Sequence, residues 1–331
     1  MDNLEELNSL EYQREIGGII TFGGLPSRPK LVDEQGNYPD CAIIGAPFDL
    51  GTTNRAGARN GPRALRANAY NSGSYHIGHE IEIFDHLNVV DAGDAWCPHG
   101  QVDRCLDNIK NKVHQVAKHG VFPVTIGGDH TIVWPAVEAL AEVYGYGRIG
   151  MIHFDAHADT ADSIDGTQTS HGTPMRRLIE SNAVRADRFV QIGLRSYWPG
   201  PDVWEWMKNE GMTWYLMDEI FNRGILAVVS DAIEIASKDC DAVYLSVDID
   251  CLDPAFAPGT GTPEPGGMNV QELIQAVRLV TSRCNLVGMD LCEISPAYDV
   301  SDVTTNSGFR IVYEVLASLA KKNYLKARLD T

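Results

Sequence analysis

The sequence predicts an α/β protein built on a parallel sheet, and three observations support this fold class. Eight short apolar segments recur along the chain, and several lack the apolar/polar alternation of a half-exposed strand. Stretches with helical character separate them. The chain has 331 residues, 44% of them hydrophobic, without a linker-like stretch or a fixed repeat. We therefore expect a single domain over residues 41–331.

The predicted elements alternate along the chain. The strand candidates are CAIIGA (41–46), NVVDAG (88–93), VFPVTI (121–126), RIGMIHF (148–154), RFVQIG (188–193), TWYLM (213–217), AVYLSV (242–247) and LVGMDL (286–291). Helix candidates lie near 61–70, 102–118, 131–145, 172–181, 201–210, 223–238, 269–283 and 302–323. Asn269, followed three residues later by Glu272, predicts a capping box at one helix start.

The periodicity leaves the architecture open. Eight alternating units can close into a barrel or form an open, doubly wound sheet. In both architectures, catalytic residues are expected where polar residues follow the carboxyl ends of the strands. Residues 1–40 are mixed and turn-rich, which predicts an N-terminal arm or lid laid over the domain.

The net charge of the chain limits the classes of partner that it is expected to bind. The 45 acidic and 27 basic residues give a formal charge of −18, which argues against nucleic acid and an anionic membrane as partners. A cationic small molecule is compatible with this charge, and some carboxylates can instead surround metal ions. The seven scattered cysteines and the absence of a signal-like or membrane-spanning segment predict a cytoplasmic protein with reduced thiols.

Three predicted strand ends carry metal-binding side chains. IGGDH places His130 after the strand candidate at 121–126, and a lone histidine there is usually structural. In HFDAHADT, Asp155, His157 and Asp159 alternate with alanines, so a continued strand would point all three to one face. The alternative is a solvated loop with turn-forming aspartates. We assign no role to His153 from the sequence.

SVDIDCLDP supplies a further pair, Asp248 and Asp250, directly after a buried strand. Two buried carboxylates on one face must take up a proton or bind a cation. Together the three segments offer two imidazoles and four carboxylates, too many ligands for one tetrahedral zinc. They suit two manganese-like ions about 3.5–4 Å apart, a geometry that generates hydroxide at neutral pH.

The motifs GGDH, DAHAD, SHGTP, SVDIDCLDPAFAPGTGTPEPGG and MDLCEISPAYD resemble the signatures of the ureohydrolase family of arginases, agmatinases and guanidino-acid hydrolases. The resemblance runs from about residue 40 to 320 and is strongest to the agmatinase-like branch. It implies a three-layer arginase-like fold with an open eight-stranded parallel sheet between helices. It also implies a homotrimer or homohexamer.

The same resemblance implies two Mn²⁺ per subunit, with Ni²⁺ possible on the same ligands. One ion would be held by His130 and Asp159 and the other by His157 and Asp250, with Asp155 and Asp248 bridging. Glu293 in DLCEISP would orient the substrate guanidinium, and His171 in SHGTP would pass a proton to the leaving amine. The alternatives are an ion-paired glutamate at the edge of the core and an ordinary loop histidine.

The expected activity is hydrolysis of a guanidino compound to urea and an amine. Agmatine, a substrate of polyamine metabolism, is the first candidate, followed by 4-guanidinobutyrate and 3-guanidinopropionate. Specificity is expected in residues 161–170 and in the N-terminal arm. In the first segment, Asp162 and Asp165 either attract an ammonium group or are solvated. The arginines of the segment 52–66 either contact a substrate carboxylate or form ion pairs. A single-zinc deacetylase and a non-catalytic partner subunit are the alternatives from other classes.

Overall fold

The computed structural model describes residues 19–68 and 73–329. Its strands are β1 (Cys41–Ala46), β2 (Tyr75–His76), β3 (Ile81–Glu82), β4 (Val89–Asp94), β5 (Phe122–Gly127), β6 (Ile149–Phe154), β7 (Phe189–Leu194), β8 (Thr213–Leu216), β9 (Ala242–Asp248) and β10 (Leu286–Cys292). Its helices are α1 (Gly61–Ala67), α2 (Ile83–His86), α3 (Val102–Ala117), α4 (Val133–Tyr144), α5 (Pro174–Glu180), α6 (Pro201–Asn209), α7 (Met217–Arg223), α8 (Ile225–Ser237), α9 (Val270–Arg283) and α10 (Val303–Leu329).

Eight strands form one parallel sheet in the order β4-β1-β5-β10-β9-β6-β7-β8. The sheet has two free edges, β4 and β8, and is therefore open. This confirms the predicted three-layer α/β fold and decides between the barrel and the open sheet. Strands β2 and β3 form a separate antiparallel hairpin.

The strands are buried on both faces, which explains why their sequences lack alternation. In β1, Ile43 belongs to an apolar cluster under α8, α9 and α10, whereas its neighbours Ala42 and Ile44 belong to a second cluster under α3, α4 and α5. Each strand thus supplies side chains to two helical layers, and most of its positions are apolar or small.

The predicted strands are all confirmed, with ends that differ by about one residue from the predicted ones. The capping box at Asn269 is also confirmed: its side chain accepts the Glu272 N–H at 3.0 Å, and the Glu272 carboxylate accepts the Asn269 N–H at 2.9 Å. The hairpin and two helices, α2 and α7, were not predicted. Gly224, at φ 82°, separates α7 from α8, so the helix predicted near 223–238 begins at Ile225.

Residues 1–18 of the predicted arm lie outside the described residues. The rest of that segment packs on the domain, where the ring of Phe22 is fully buried and stacks on Phe309 with centroids 4.7 Å apart. None of the described helices is long and apolar enough to cross a membrane.

Gly128 shapes the turn that follows β5. Its φ is +27°, and a Cβ at this position would overlap the carbonyl oxygen of Phe48 and lie 2.6 Å from that of Ala46. The chain after β5 therefore passes against the chain after β1 with no room for a side chain. This close approach places the next residues, Asp129 and His130, above the sheet edge.

We expect Gly128→Ala to lower the free energy of unfolding by more than about 3 kcal/mol, because it adds a backbone clash to a disfavoured φ. Gly120→Ala is the matched control: its φ is +74°, but no atom lies within 4 Å of the added Cβ. It should cost only about 1–2 kcal/mol. Urea denaturation followed by tryptophan fluorescence measures both, and equal losses would contradict the clash.

Candidate active site

Four neighbouring strands in the middle of the sheet end at the same place. They are β5, β10, β9 and β6, and their carboxyl ends lead into His130, Glu293, Asp248 and Asp155. Because all strands run parallel, the side chains that follow them meet at one edge of the sheet. The structure brings all eight predicted site residues together there.

His130 lies at the centre of the first cluster. Its Nδ1 is 3.1 Å from Asp155 Oδ2, 3.1 Å from Asp248 Oδ2 and 3.2 Å from Asp159 Oδ2. The imidazole is fully buried, yet Nδ1 makes no hydrogen bond. A buried nitrogen without a hydrogen bond, facing three carboxylate oxygens, is the donor set that a divalent cation requires.

The other ring nitrogen of His130 is occupied. Nε2 lies 2.9 Å from Ser246 Oγ, and that hydroxyl donates to Asp290 Oδ1 at 2.9 Å. Since the serine proton is directed at the carboxylate, its oxygen accepts from Nε2–H, and the lone pair of the ring is left on Nδ1. Sequence reasoning missed Ser246 and Asp290. Both lie within strands, β9 and β10, and no sequence pattern shows that a polar residue there contacts a histidine from the loop after β5.

His157 lies in a second cluster. Its Nδ1 is 3.1 Å from Asp250 Oδ2 and 3.6 Å from Asp155 Oδ1. Asp155 therefore presents one oxygen to His130 and the other to His157, which places its carboxylate between the two clusters. Asp248 presents Oδ2 to His130, while its Oδ1 accepts the Asp250 N–H at 2.8 Å.

The expected strand geometry is wrong for both aspartate-rich segments. Strand β6 ends at Phe154, and Asp159 adopts φ +53°, so 155–159 fold as an irregular loop. After Asp248 the chain forms a single 3₁₀ turn, Ile249–Cys251. The side chains converge because these short turns curl over the sheet edge, with Asp155 and Asp248 each accepting the backbone N–H two residues later.

His153 is buried in β6 below the clusters. Its Nε2 lies 2.8 Å from Asp155 Oδ2, and its Nδ1 lies 3.0 Å from Gln191 Nε2. The imidazole thus supports the shared carboxylate from beneath.

The electrostatics of this edge favour added positive charge. Burial and the charges of Asp250 and Asp155 raise the pKa of Asp248 well above its usual value. Burial disfavours a charged imidazole at His157, but the charge of Asp250 and its hydrogen bonds outweigh burial and raise the pKa of His157 well above its usual value. Without a cation, protons are therefore drawn onto these residues.

Glu293 and His171 form a coupled pair next to the clusters. Glu293 Oε1 lies 3.0 Å from His171 Nδ1 and accepts the His130 N–H at 2.8 Å, whereas Oε2 is buried without a hydrogen-bond partner. Burial opposes protonation of His171, but the charge of Glu293 prevails and raises the pKa of His171 to about 9. The Thr53 hydroxyl lies 2.7 Å from His171 Nε2.

A cavity of about 310 Å³ opens onto these residues. Its lining includes Trp198 and Ile164, and both lie close to Gly172, where a Cβ would be 2.5 Å from Ile164 Cδ1 and 3.3 Å from Trp198 Cη2. The full lining is Thr53, His157, Asp159, Ile164, His171, Gly172, Trp198, Asp248 and Thr262. The lining thus combines ligand-type side chains with two large apolar ones, and the Trp198 ring lies 6.2 Å from that of His157 between centroids.

The charged residues of segments 161–170 and 52–66 are mostly paired within the chain. Asp162 accepts from Arg177 at 3.0 Å and lies 3.6 Å from Arg176, so its charge is balanced and it is a poor ammonium partner. Arg59 pairs with Asp49, and Arg66 pairs with Asp91 and Asp94. Arg55 instead lies over the ring of Tyr298, 5.3 Å from its centroid.

Comparison with known proteins decides the family. The model described as the Arginase family matches residues 39–318. This chain belongs to the arginase family. It is a ureohydrolase, a hydrolase of guanidino C–N bonds, as the motif resemblance implied, and the fold of this family implies a binuclear metal centre.

Individual relatives support this assignment over most of the chain. A guanidinobutyrase from Pseudomonas aeruginosa is 36% identical, covering 92% of this chain and 93% of that protein. A mitochondrial agmatinase from Gallus gallus is 37% identical, covering 94% and 88%. The structure of proclavaminate amidino hydrolase from Streptomyces clavuligerus has a TM-score of 0.86 and 35% identity, covering 93% of this chain and 99% of that one.

We expect Mn²⁺ to bind more tightly at about pH 8 than at about pH 6, by roughly tenfold per pH unit for each proton displaced. The raised pKa values of His157 and Asp248 keep protons on the metal-free site at the lower pH, and the ion must displace them. Isothermal titration calorimetry in two buffers of different ionisation enthalpy measures both the affinity and the protons released.

Asp248→Asn removes one of these protonated groups and should weaken Mn²⁺ binding at every pH. Asp162→Asn is the control, because that carboxylate is exposed and paired with arginines. A pH-independent affinity with no proton release would contradict the expected protonation.

Proposed function

We propose that this ureohydrolase is a dinuclear-metal enzyme that hydrolyses agmatine to urea and an amine. The observation that carries this proposal is the buried His130 Nδ1, which has no hydrogen bond and faces three carboxylate oxygens. His130 and Asp159 would hold one ion and His157 and Asp250 the other. Asp155 and Asp248 would bridge them.

Manganese is the proposed metal, with nickel as the alternative on the same imidazole and carboxylate ligands. When bound, the two ions supply a nucleophile from water at neutral pH, which the weakly electrophilic guanidinium carbon needs. Four carboxylate charges balance two divalent ions. The ligand chemistry therefore fits two ions better than the single zinc of a deacetylase.

Glu293 is proposed to orient the substrate. Its Oε2 is buried and has no hydrogen-bond partner, while Oε1 is held by the His130 N–H and by His171. A guanidinium group presents several N–H donors in one plane, and a fixed carboxylate oxygen aligns that plane. Glu293 thus has one oxygen committed to the protein and one available to substrate.

His171 is proposed to donate a proton to the leaving amine. Its pKa of about 9 means that it carries a proton at neutral pH, and it lines the cavity. The Glu293 carboxylate stabilises the protonated form through Nδ1, leaving Nε2 beside the Thr53 hydroxyl. Activity that depends on this proton should decline above about pH 9.

Agmatine is favoured as the substrate by the cavity wall. None of the described residues that line the cavity is a lysine or arginine. The carboxylate of a guanidino acid would therefore find no lysine or arginine there, whereas an aliphatic chain can pack on Ile164 and an ammonium can lie against the Trp198 ring. The substrates 4-guanidinobutyrate and 3-guanidinopropionate are the second choice, supported by the guanidinobutyrase relative and by Arg55 near Tyr298.

We further propose a cytoplasmic homotrimer or homohexamer. The seven cysteines are all free thiols in the described residues, which is compatible with a reducing compartment. Sedimentation velocity would test the assembly, and a monomer at micromolar concentration would contradict it.

The protein loaded with Mn²⁺ or Ni²⁺ should release urea from agmatine. We expect kcat/KM to be highest for agmatine, lower for N-butylguanidine, which lacks the ammonium, and at least about tenfold lower for 4-guanidinobutyrate. A colorimetric urea assay across this panel measures the order. Absence of urea from every compound would refute the function, and acetate release from an N-acetylated amine with one zinc per subunit would support a deacetylase.

Glu293→Gln and His171→Asn should each lower kcat for the preferred guanidine by about 10²–10⁴-fold while two ions per subunit remain bound. The matched control is His119→Asn, because His119 lies at the surface and not at the site. Its ring stacks on that of Tyr38, with the two ring centroids 4.1 Å apart. Steady-state kinetics and metal analysis by mass spectrometry test this. Near wild-type kcat in either variant would remove that residue from the reaction.

A further inference from the structure

The guanidinium group of Arg195 lies beside the second cluster and bonds only to backbone. Arg195 directly follows β7, and its side chain donates to the carbonyl oxygens of Gly193, Asp250, Cys251, Leu252 and Glu264 at 2.7–3.4 Å. Within residues 19–68 and 73–329, no carboxylate forms an ion pair with it. The shortest bonds, both 2.7 Å, go to Asp250 and Glu264.

Five carbonyl oxygens directed at one point need a donor group of matching shape. Arginine offers five N–H donors in a rigid plane, whereas lysine offers three on a compact ammonium. Because buried carbonyls without partners are costly, this side chain helps to hold the turn at 250–252 against residue 264, together with the backbone bonds from Asp253 N–H to Met268 O and from Met268 N–H to Cys251 O.

Arg195 is also tied to the other ligand segment through its backbone. Its N–H donates to the Ala156 carbonyl at 3.1 Å, and Ala156 lies between Asp155 and His157. The Ala156 N–H in turn donates to Asp250 Oδ1 at 3.2 Å. One residue therefore joins the two segments that bring His157 and Asp250 to 3.1 Å.

We propose that Arg195 is a positioning residue for the half of the metal centre built on His157 and Asp250. Its side chain sets the backbone of Asp250, and its main chain sets Ala156, so the two ligands face each other at the spacing one ion needs. The first cluster, around His130, has no hydrogen bond to Arg195 among the described residues. The inference rests on the proposed assignment of the metal ligands. It adds that the ligands of one ion depend on Arg195 for their position, whereas those around His130 do not.

The test is a metal titration of Arg195→Lys and Arg195→Gln. We expect the affinity for one of the two Mn²⁺ ions to fall by about 10–100-fold and the other to stay within about threefold of wild type. Equilibrium dialysis with metal analysis gives the two affinities. Electron paramagnetic resonance adds a spectroscopic readout, since loss of one ion replaces the coupled two-ion signal with that of a single Mn²⁺. Activity should return in excess Mn²⁺, with kcat recovering as the site refills.

Arg188→Lys is the matched control. Arg188 precedes β7 at the opposite end of the same strand and also donates to backbone, to Lys238 O at 2.6 Å and Asp187 O at 2.7 Å. It should leave both metal affinities unchanged. A thermal melt of each variant separates loss of fold from loss of metal.

The outcomes discriminate between this inference and the proposed function. Wild-type protein that binds fewer than two ions would refute the dinuclear function itself. Two ions bound by wild type and by both Arg195 variants with equal affinities would overturn only the role of Arg195. Equal weakening of both ions, or failure of both variants to fold while Arg188→Lys folds, would overturn it in favour of a general structural role.

Discussion

Four buried aspartates at one edge of a parallel sheet are the constraint on which this structure depends. Asp155, Asp159, Asp248 and Asp250 are all less than a tenth exposed, and no lysine or arginine side chain pairs with any of them in the described residues. Uncompensated, such a group is strongly destabilising. Their only charged partners there are histidines, so protonation or bound cations must balance them.

The surrounding structure makes that cluster possible. Open parallel topology places four strand ends side by side, and Gly128 lets the loop after β5 pass under the chain that follows β1. Polar groups beneath the site have defined partners: Ser246 and Asp290 hold one ring nitrogen of His130, and His153 supports Asp155. These contacts direct the remaining donor atoms toward the space between the carboxylates.

Different residues of the site are proposed to orient the guanidinium group and to contact the rest of the substrate. Glu293 and His171 share a hydrogen bond and lie on the side where a guanidinium would be held, with a pKa near 9 that keeps the imidazole protonated. Trp198 and Ile164 form an apolar wall of the same cavity, close to Gly172, which the rest of the substrate would contact. Within one family, substrate choice can change through that wall while the carboxylate cluster stays the same.

Prediction from the sequence succeeded where a signal is local and failed where it is not. The strands were recognisable because burial on both faces makes each one continuously apolar, and the capping box at Asn269 lies within four residues. The ligand residues were recognisable because aspartate directly after a buried strand is chemically unusual. The expected alternation along a continued strand was wrong, because Asp159 and Asp250 reach the site through a left-handed residue and a 3₁₀ turn.

The sequence by itself determined the fold class, the family and the residue types at the strand ends, since each of these is written in short contiguous motifs. Only the tertiary structure showed that Asp155 lies between both histidines and that Asp162 is paired with Arg176 and Arg177, and it confirmed the open sheet that the resemblance implied. It also showed Ser246, Trp198 and Arg195 at the site. Most of these depend on contacts between segments far apart in the chain, such as Arg195 with Asp250, 55 residues away, and no local pattern records which distant carbonyl or carboxylate a side chain will meet.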